Sequence, residues 1–84
     1  MTHRVSDDIS SLGKRLIDRL GAAPVEAALD YVGHGENLLA LDTLAGYVEE
    51  FGVLLQASEL AEFLRLAAIF DAASLPPFSH LRTR

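Results

Sequence analysis

Apolar residues recur along this chain at three- and four-residue steps, the spacing that lines one side of an α-helix. Val5, Ile9, Leu12, Leu16 and Leu20 form the first stripe, with Lys14, Arg15 and Asp18 projecting elsewhere. Ser6 is a favourable N-cap and Asp7 and Asp8 suit the positive end of the helix dipole. The pattern therefore predicts a helix over 6–20, stopped by Gly21. Pro24 is placed to open a second helix over 24–33, which turns Val25, Ala28, Leu29 and Val32 inward. Glu26 and Asp30 lie four apart on its outer side, a like-charge spacing that disfavours the helix slightly. Gly33 or Gly35 supplies the left-handed residue that ends it.

The clearest pattern follows, over 37–51. Wound as a helix, this stretch places Leu38, Ala40, Leu41, Leu44, Ala45, Tyr47, Val48 and Phe51 on one half of the circumference. Asp42, Thr43, Gly46, Glu49 and Glu50 take the other half, with Leu39 among them. A fourth helix is predicted over 57–73, capped by Gln56 or Ser58, with Leu60, Phe63, Leu64, Ala67 and Phe70 inward. Pro76 and Pro77 forbid its continuation, so 74–84 reads as an extended tail, tacked to the body by Leu75 and Phe78. No strand-like alternation, repeat or low-complexity tract interrupts this order. The expectation is an all-α fold, a small single-domain bundle of about four helices.

Composition changes this picture little; charge changes it more. The 84 residues are 50% hydrophobic, which suits a packed core. The absence of cysteine rules out disulfides and thiol chemistry. No apolar run is long enough to span a bilayer and the N-terminus lacks the pattern of a secretory signal, so no membrane partner and a cytoplasmic location are expected. The net charge of −5 is unevenly spread. Between Glu26 and Asp71 stand Glu26, Asp30, Glu36, Asp42, Glu49, Glu50, Glu59, Glu62 and Asp71 against Arg65 alone, while the other bases lie near the two ends. An acidic body repels nucleic acid and attracts a basic protein surface.

Candidate chemistry is sparse. His34 and Glu36 flank Gly35 in a turn, but a histidine at a helix C-terminus and a glutamate at a helix N-terminus are favoured by the dipole without any catalytic role. A metal there needs a third ligand that neither His3 nor His80 is placed to give. The serines and threonines lack a G-x-S-x-G setting, and no histidine with a carboxylate partner can be assigned to them. No G-x-x-x-x-G-K motif occurs, and the phenylalanines fall on core faces rather than among bases. No catalytic residue, metal or cofactor is assigned, and the chain is read as a non-enzyme.

What remains is the acidic side of the third helix: Asp42, Glu49 and Glu50, extended by Glu36. A carboxylate run is ordinarily a solvated face. Here Glu49 and Glu50 crowd the helix C-terminus, where negative charge is unfavourable by about 0.3–1 kcal/mol, and no lysine or arginine within the helix offsets them. Leu39, exposed, and Tyr47, partly exposed, add apolar contacts. The candidate partner-binding residues are thus Glu36, Leu39, Asp42, Tyr47, Glu49 and Glu50.

The same stretch carries a resemblance. His34, Gly35 and Glu36, then Leu39, Ala40, Leu41 and Leu44, then Glu49 and Glu50, resemble the small helical immunity proteins of bacterial polymorphic toxin and contact-dependent inhibition systems, notably the MafI type. The likeness covers Leu29 to Phe70. It implies a cytoplasmic protein that binds and neutralises a cognate toxin domain, often a nuclease, with His34, Gly35 and Glu36 serving the fold. Carboxylates on a rigid helix are suited to the basic cleft of such a toxin. The alternative reading is a helical adaptor or homodimerising module anchored by Leu39 and Ile69, so that the chain alone is expected as monomer or homodimer.

Overall fold

The computed structural model describes residues 4–84; Met1 to His3, and with them His3 as a conceivable ligand, lie outside the described residues. The elements are α1 (Val5–Arg15), α2 (Ile17–Leu20), α3 (Ala22–Gly33), α4 (Asn37–Glu50), α5 (Ala57–Ile69) and a short 3-10 helix (Phe78–His80). The all-α bundle is as expected, and no strand occurs among the described residues.

The first stripe does enter the core, since Ile9, Leu12, Leu16 and Leu20 are all buried. The helix that carries it is not continuous, however. It starts one residue before Ser6, with Arg4 as an N-cap that makes no side-chain bond, and breaks at Leu16. There the Leu16 N–H tightens onto the Gly13 carbonyl at 3.0 Å. No proline or glycine stands at the break. Arg19 stabilises it instead, donating from Nη2 to the carbonyl of Arg15 (2.9 Å), one of those a helix end leaves open.

The helix predicted to open at Pro24 begins two residues earlier, at Ala22, with Pro24 in its first turn and Gly21 as N-cap at φ 94°. Proline is tolerated anywhere in that turn, whose N–H groups have no intrahelical acceptor. Gly35, not Gly33, takes the left-handed conformation at the far end, with φ 73°. The fourth predicted helix is capped by Gln56 but stops at Ile69, four residues early. Asp71 adopts φ 56° and the Ala72 N–H reaches back to the carbonyl of Ala67, a left-handed C-cap without glycine.

That turn redirects the tail. It is not extended throughout: turns lead to the 3-10 helix, which packs on α4 and α5, and Phe78 is buried there. Leu75 does not tack the tail down; it is 55% exposed. Only the last residues are extended, where the Leu55 N–H bonds the Arg82 carbonyl (2.9 Å) and the Arg84 N–H bonds the Leu55 carbonyl (3.0 Å).

α4 is the central element, lying against α1, α3 and α5. Its buried stripe is narrower than predicted: Ala40, Leu41, Leu44, Ala45 and Val48. Leu38 and Tyr47 sit about 90° to either side of that stripe and are only partly covered. Phe51 is the C-cap, beyond the last turn that a neighbour covers, and is exposed. The Cα radius of gyration is 11.5 Å, close to the roughly 12 Å of a compact chain of this length.

Candidate partner-binding surface

The turn before α4 is built by backbone requirements. The N–H of Gly35 bonds the carbonyl of Val32 and that of Glu36 the carbonyl of Tyr31. His34 caps α3 and donates from Nδ1 to the Asp30 carbonyl at 2.9 Å, the bond its place at a helix C-terminus favours. Glu36 is the N-cap of α4 and its side chain is exposed. No cluster of three metal-ligating side chains exists among the described residues.

The six candidate residues are not one surface. Asp42 and Glu49, seven residues apart, project within about 20° of each other, whereas Tyr47 projects about 160° away from Glu49. Tyr47 pairs with Phe51, with ring centroids 5.7 Å apart, on the far side of the helix from the tail. Glu50 is exposed between these two sides. The tail follows the side that holds Asp42 and Glu49, and divides it into two recesses.

The recess nearer the start of α4 joins Glu36, Leu39 and Asp42, which sequence reasoning selected, to Leu38, Leu75 and Phe78. Its volume is about 370 Å³. The other, of about 610 Å³, is lined by Glu49 together with Leu54, Ser79, His80 and Arg82.

The environment of Glu49 corrects the expectation of a free acidic face. His80 Nδ1 contacts its carboxylate, so the tail supplies the partner that α4 itself lacks. No serine or threonine hydroxyl is hydrogen-bonded to that histidine among the described residues. The spacing between residues 49 and 80 carries no signal for the pair, which depends on how the tail folds back.

Other acids are also committed. Arg65, the lone base of the acidic stretch, binds Glu62 (2.7 Å) and Asp8 (2.9 Å), joining α5 to α1. Glu59 is buried and takes both Nη atoms of Arg19, a charge-assisted fork that holds its pKa at about 2, well below the usual carboxylate value. It also accepts from the Gln56 N–H at 2.8 Å, completing a capping box. By contrast, Glu36, Asp42 and Glu50 make no side-chain hydrogen bond or ion pair among the described residues. Arg19 and Glu59 were passed over in the sequence because each fits a helical surface pattern; only the capping-box spacing of Gln56 and Glu59 hinted at the latter.

No helix among the described residues is long and apolar enough to cross a membrane. Comparison with protein-family models, with curated proteins and with solved structures found no match for this chain.

Proposed function

We propose that this chain is a non-enzymatic immunity protein, of the kind its HGE-containing stretch resembles, acting in the cytoplasm by covering the active site or substrate cleft of a cognate toxin domain. The observation that supports the reading is the state of the α4 carboxylates. Glu36, Asp42 and Glu50 have no cationic partner among the described residues, and Arg65, the one base between Glu26 and Asp71 in the sequence, is occupied by Glu62 and Asp8. Uncompensated negative charge on a rigid helix favours a basic partner and speeds encounter with it. Glu49, held by His80, contributes less.

The test is a calorimetric titration with the toxin domain encoded in the neighbouring reading frame. Glu36→Lys combined with Asp42→Lys is expected to weaken binding by more than about tenfold, or 1.4 kcal/mol, while the chain stays folded with a melting temperature lowered by several degrees at most, the cost of a cation at the α4 N-cap. Unchanged affinity removes the acidic face from the mechanism. A neighbouring gene product that does not bind at all removes the immunity reading.

The second reading, a helical adaptor or homodimer, draws on Leu39 and Ile69, which are 42% and 52% exposed. Sedimentation of the isolated chain separates the two: a dimer abolished by Leu39→Glu favours the adaptor.

A further inference from the structure

We propose that the recess between the first half of α4 and the 72–78 segment is a docking groove for an amphipathic segment of a protein partner, one that presents apolar side chains flanked by lysine or arginine. This names the partner's chemistry for the toxin-binding reading and rests on that reading.

The apolar part comes from two elements. Leu38 and Leu39 are consecutive on α4 and both exposed, Leu75 is exposed on the tail, and buried Phe78 also lines the space between them. The recess of about 370 Å³ lies near the small end of the range for binding pockets, roughly 300–1,000 Å³. Leucines exposed singly need no explanation; three gathered around one concavity offer a seat to apolar side chains of a partner.

The occupant is specified by charge. Glu36 and Asp42 line the same recess and neither has a side-chain partner among the described residues, whereas Glu49, Glu59 and Glu62 do. Asp42 is half-buried as a residue and lines the recess beside the leucines. A cation from a partner docked over the leucines would meet this charge with part of the intervening water displaced, which strengthens the attraction. An anionic or nucleic-acid ligand is repelled by the same two groups. A second copy docking about a two-fold axis would bring Glu36 and Asp42 of both chains together, a like-charge arrangement that disfavours self-association through this groove. A basic, apolar segment is the occupant that satisfies both the leucines and the carboxylates.

The experiment uses the full isotope-labelled chain and three synthetic amphipathic peptides with one leucine pattern, carrying lysine, glutamine or glutamate at the polar positions. The leucine–lysine peptide is expected to shift the amide resonances of Leu38, Leu39, Asp42 and Leu75 and to bind at least about tenfold more tightly than the leucine–glutamine peptide. Glu36→Gln with Asp42→Asn should erase that difference. Leu39→Glu and, separately, Leu75→Ser should weaken the leucine–lysine peptide while preserving the helical circular dichroism, since both leucines are exposed. Equal binding of the lysine and glutamine peptides, or shifts confined to other surfaces, overturns the proposal. So does a dimer in sedimentation that Leu39→Glu dissolves, which would assign the groove to a second copy. The two readings fail separately. Peptide binding in the groove without binding of the neighbouring toxin retires the immunity reading and leaves the groove standing. Toxin binding that neither leucine variant weakens overturns the groove and leaves the immunity reading standing.

Discussion

Arg19 grips Glu59 with both terminal guanidinium nitrogens, Nη1 and Nη2, at 2.7 and 2.5 Å, across 40 residues of sequence. The same side chain bonds the carbonyl of Arg15 at the break between α1 and α2. One residue therefore ties the helical break to the start of α5, where Glu59 in turn caps the helix through Gln56.

The pair makes stability depend on acid. Glu59 has a folded-state pKa of about 2, below its ordinary 4.5, chiefly because Arg19 hydrogen-bonds its ionised form. A depressed carboxylate contributes stability that is present above the ordinary value and is lost as pH falls from about 4.5 towards 2. The contribution should be about 2–3 kcal/mol at neutral pH, allowing for the partial exposure of Arg19. Urea denaturation between pH 2 and 7 checks this: Glu59→Gln should be less stable than the parent at pH 7 and should show a flatter pH dependence below 4.5.

Asp71 holds a left-handed conformation, φ 56°, which costs a residue with a Cβ about 1 kcal/mol and glycine nothing. Asp71→Gly is expected to stabilise the chain by about 0.5–1 kcal/mol, and Asp71→Val to destabilise it by about 1–2 kcal/mol. Thermal melts of the two variants should move in opposite directions.

The tail is anchored by packing rather than by its ion pair. Phe78 is 2% exposed, so Phe78→Ala should cost about 3–5 kcal/mol. His80 and Glu49 have side chains 53% and 41% exposed, and an exposed pair is worth roughly 0–1 kcal/mol. His80→Ala should therefore leave the melting temperature within a few degrees of the parent. A large loss there would show that the pair, not the phenylalanine, holds the tail.

Neutralising the groove should not harm the fold. Glu36 and Asp42 have no partners among the described residues, so Glu36→Gln with Asp42→Asn is expected to leave stability within about 0.5 kcal/mol of the parent, the dipole contribution lost at the α4 N-cap opposing the relief of a half-buried charge at Asp42. Partner association should slow as salt rises from low to physiological ionic strength, because the Debye length shrinks to about 8 Å. Stopped-flow measurement across that range gives the slope, and the neutralised variant should flatten it.

The sequence by itself determined the class of fold and the core. Its three- and four-residue apolar steps marked Ile9, Leu12, Leu16, Leu20, Leu41, Leu44, Val48 and Phe63, all buried, because a periodicity of 3.6 is local information. It also marked Leu39 and Ile69 as exposed. Tertiary structure decided where helices break and which charges remain free. Leu16 and Asp71 lie at turns that no local residue type announces; the first is capped by a distant-reaching arginine and the second by a strained backbone. Equally, Glu36, Asp42, Glu49 and Glu59 are alike as letters in a pattern. One is claimed by the folded-back His80 and one is buried on Arg19, leaving two beside the leucines of the groove. Charge pairing is set by distance in space, which only the path of the tail and the packing of α2 on the rest of the bundle could supply.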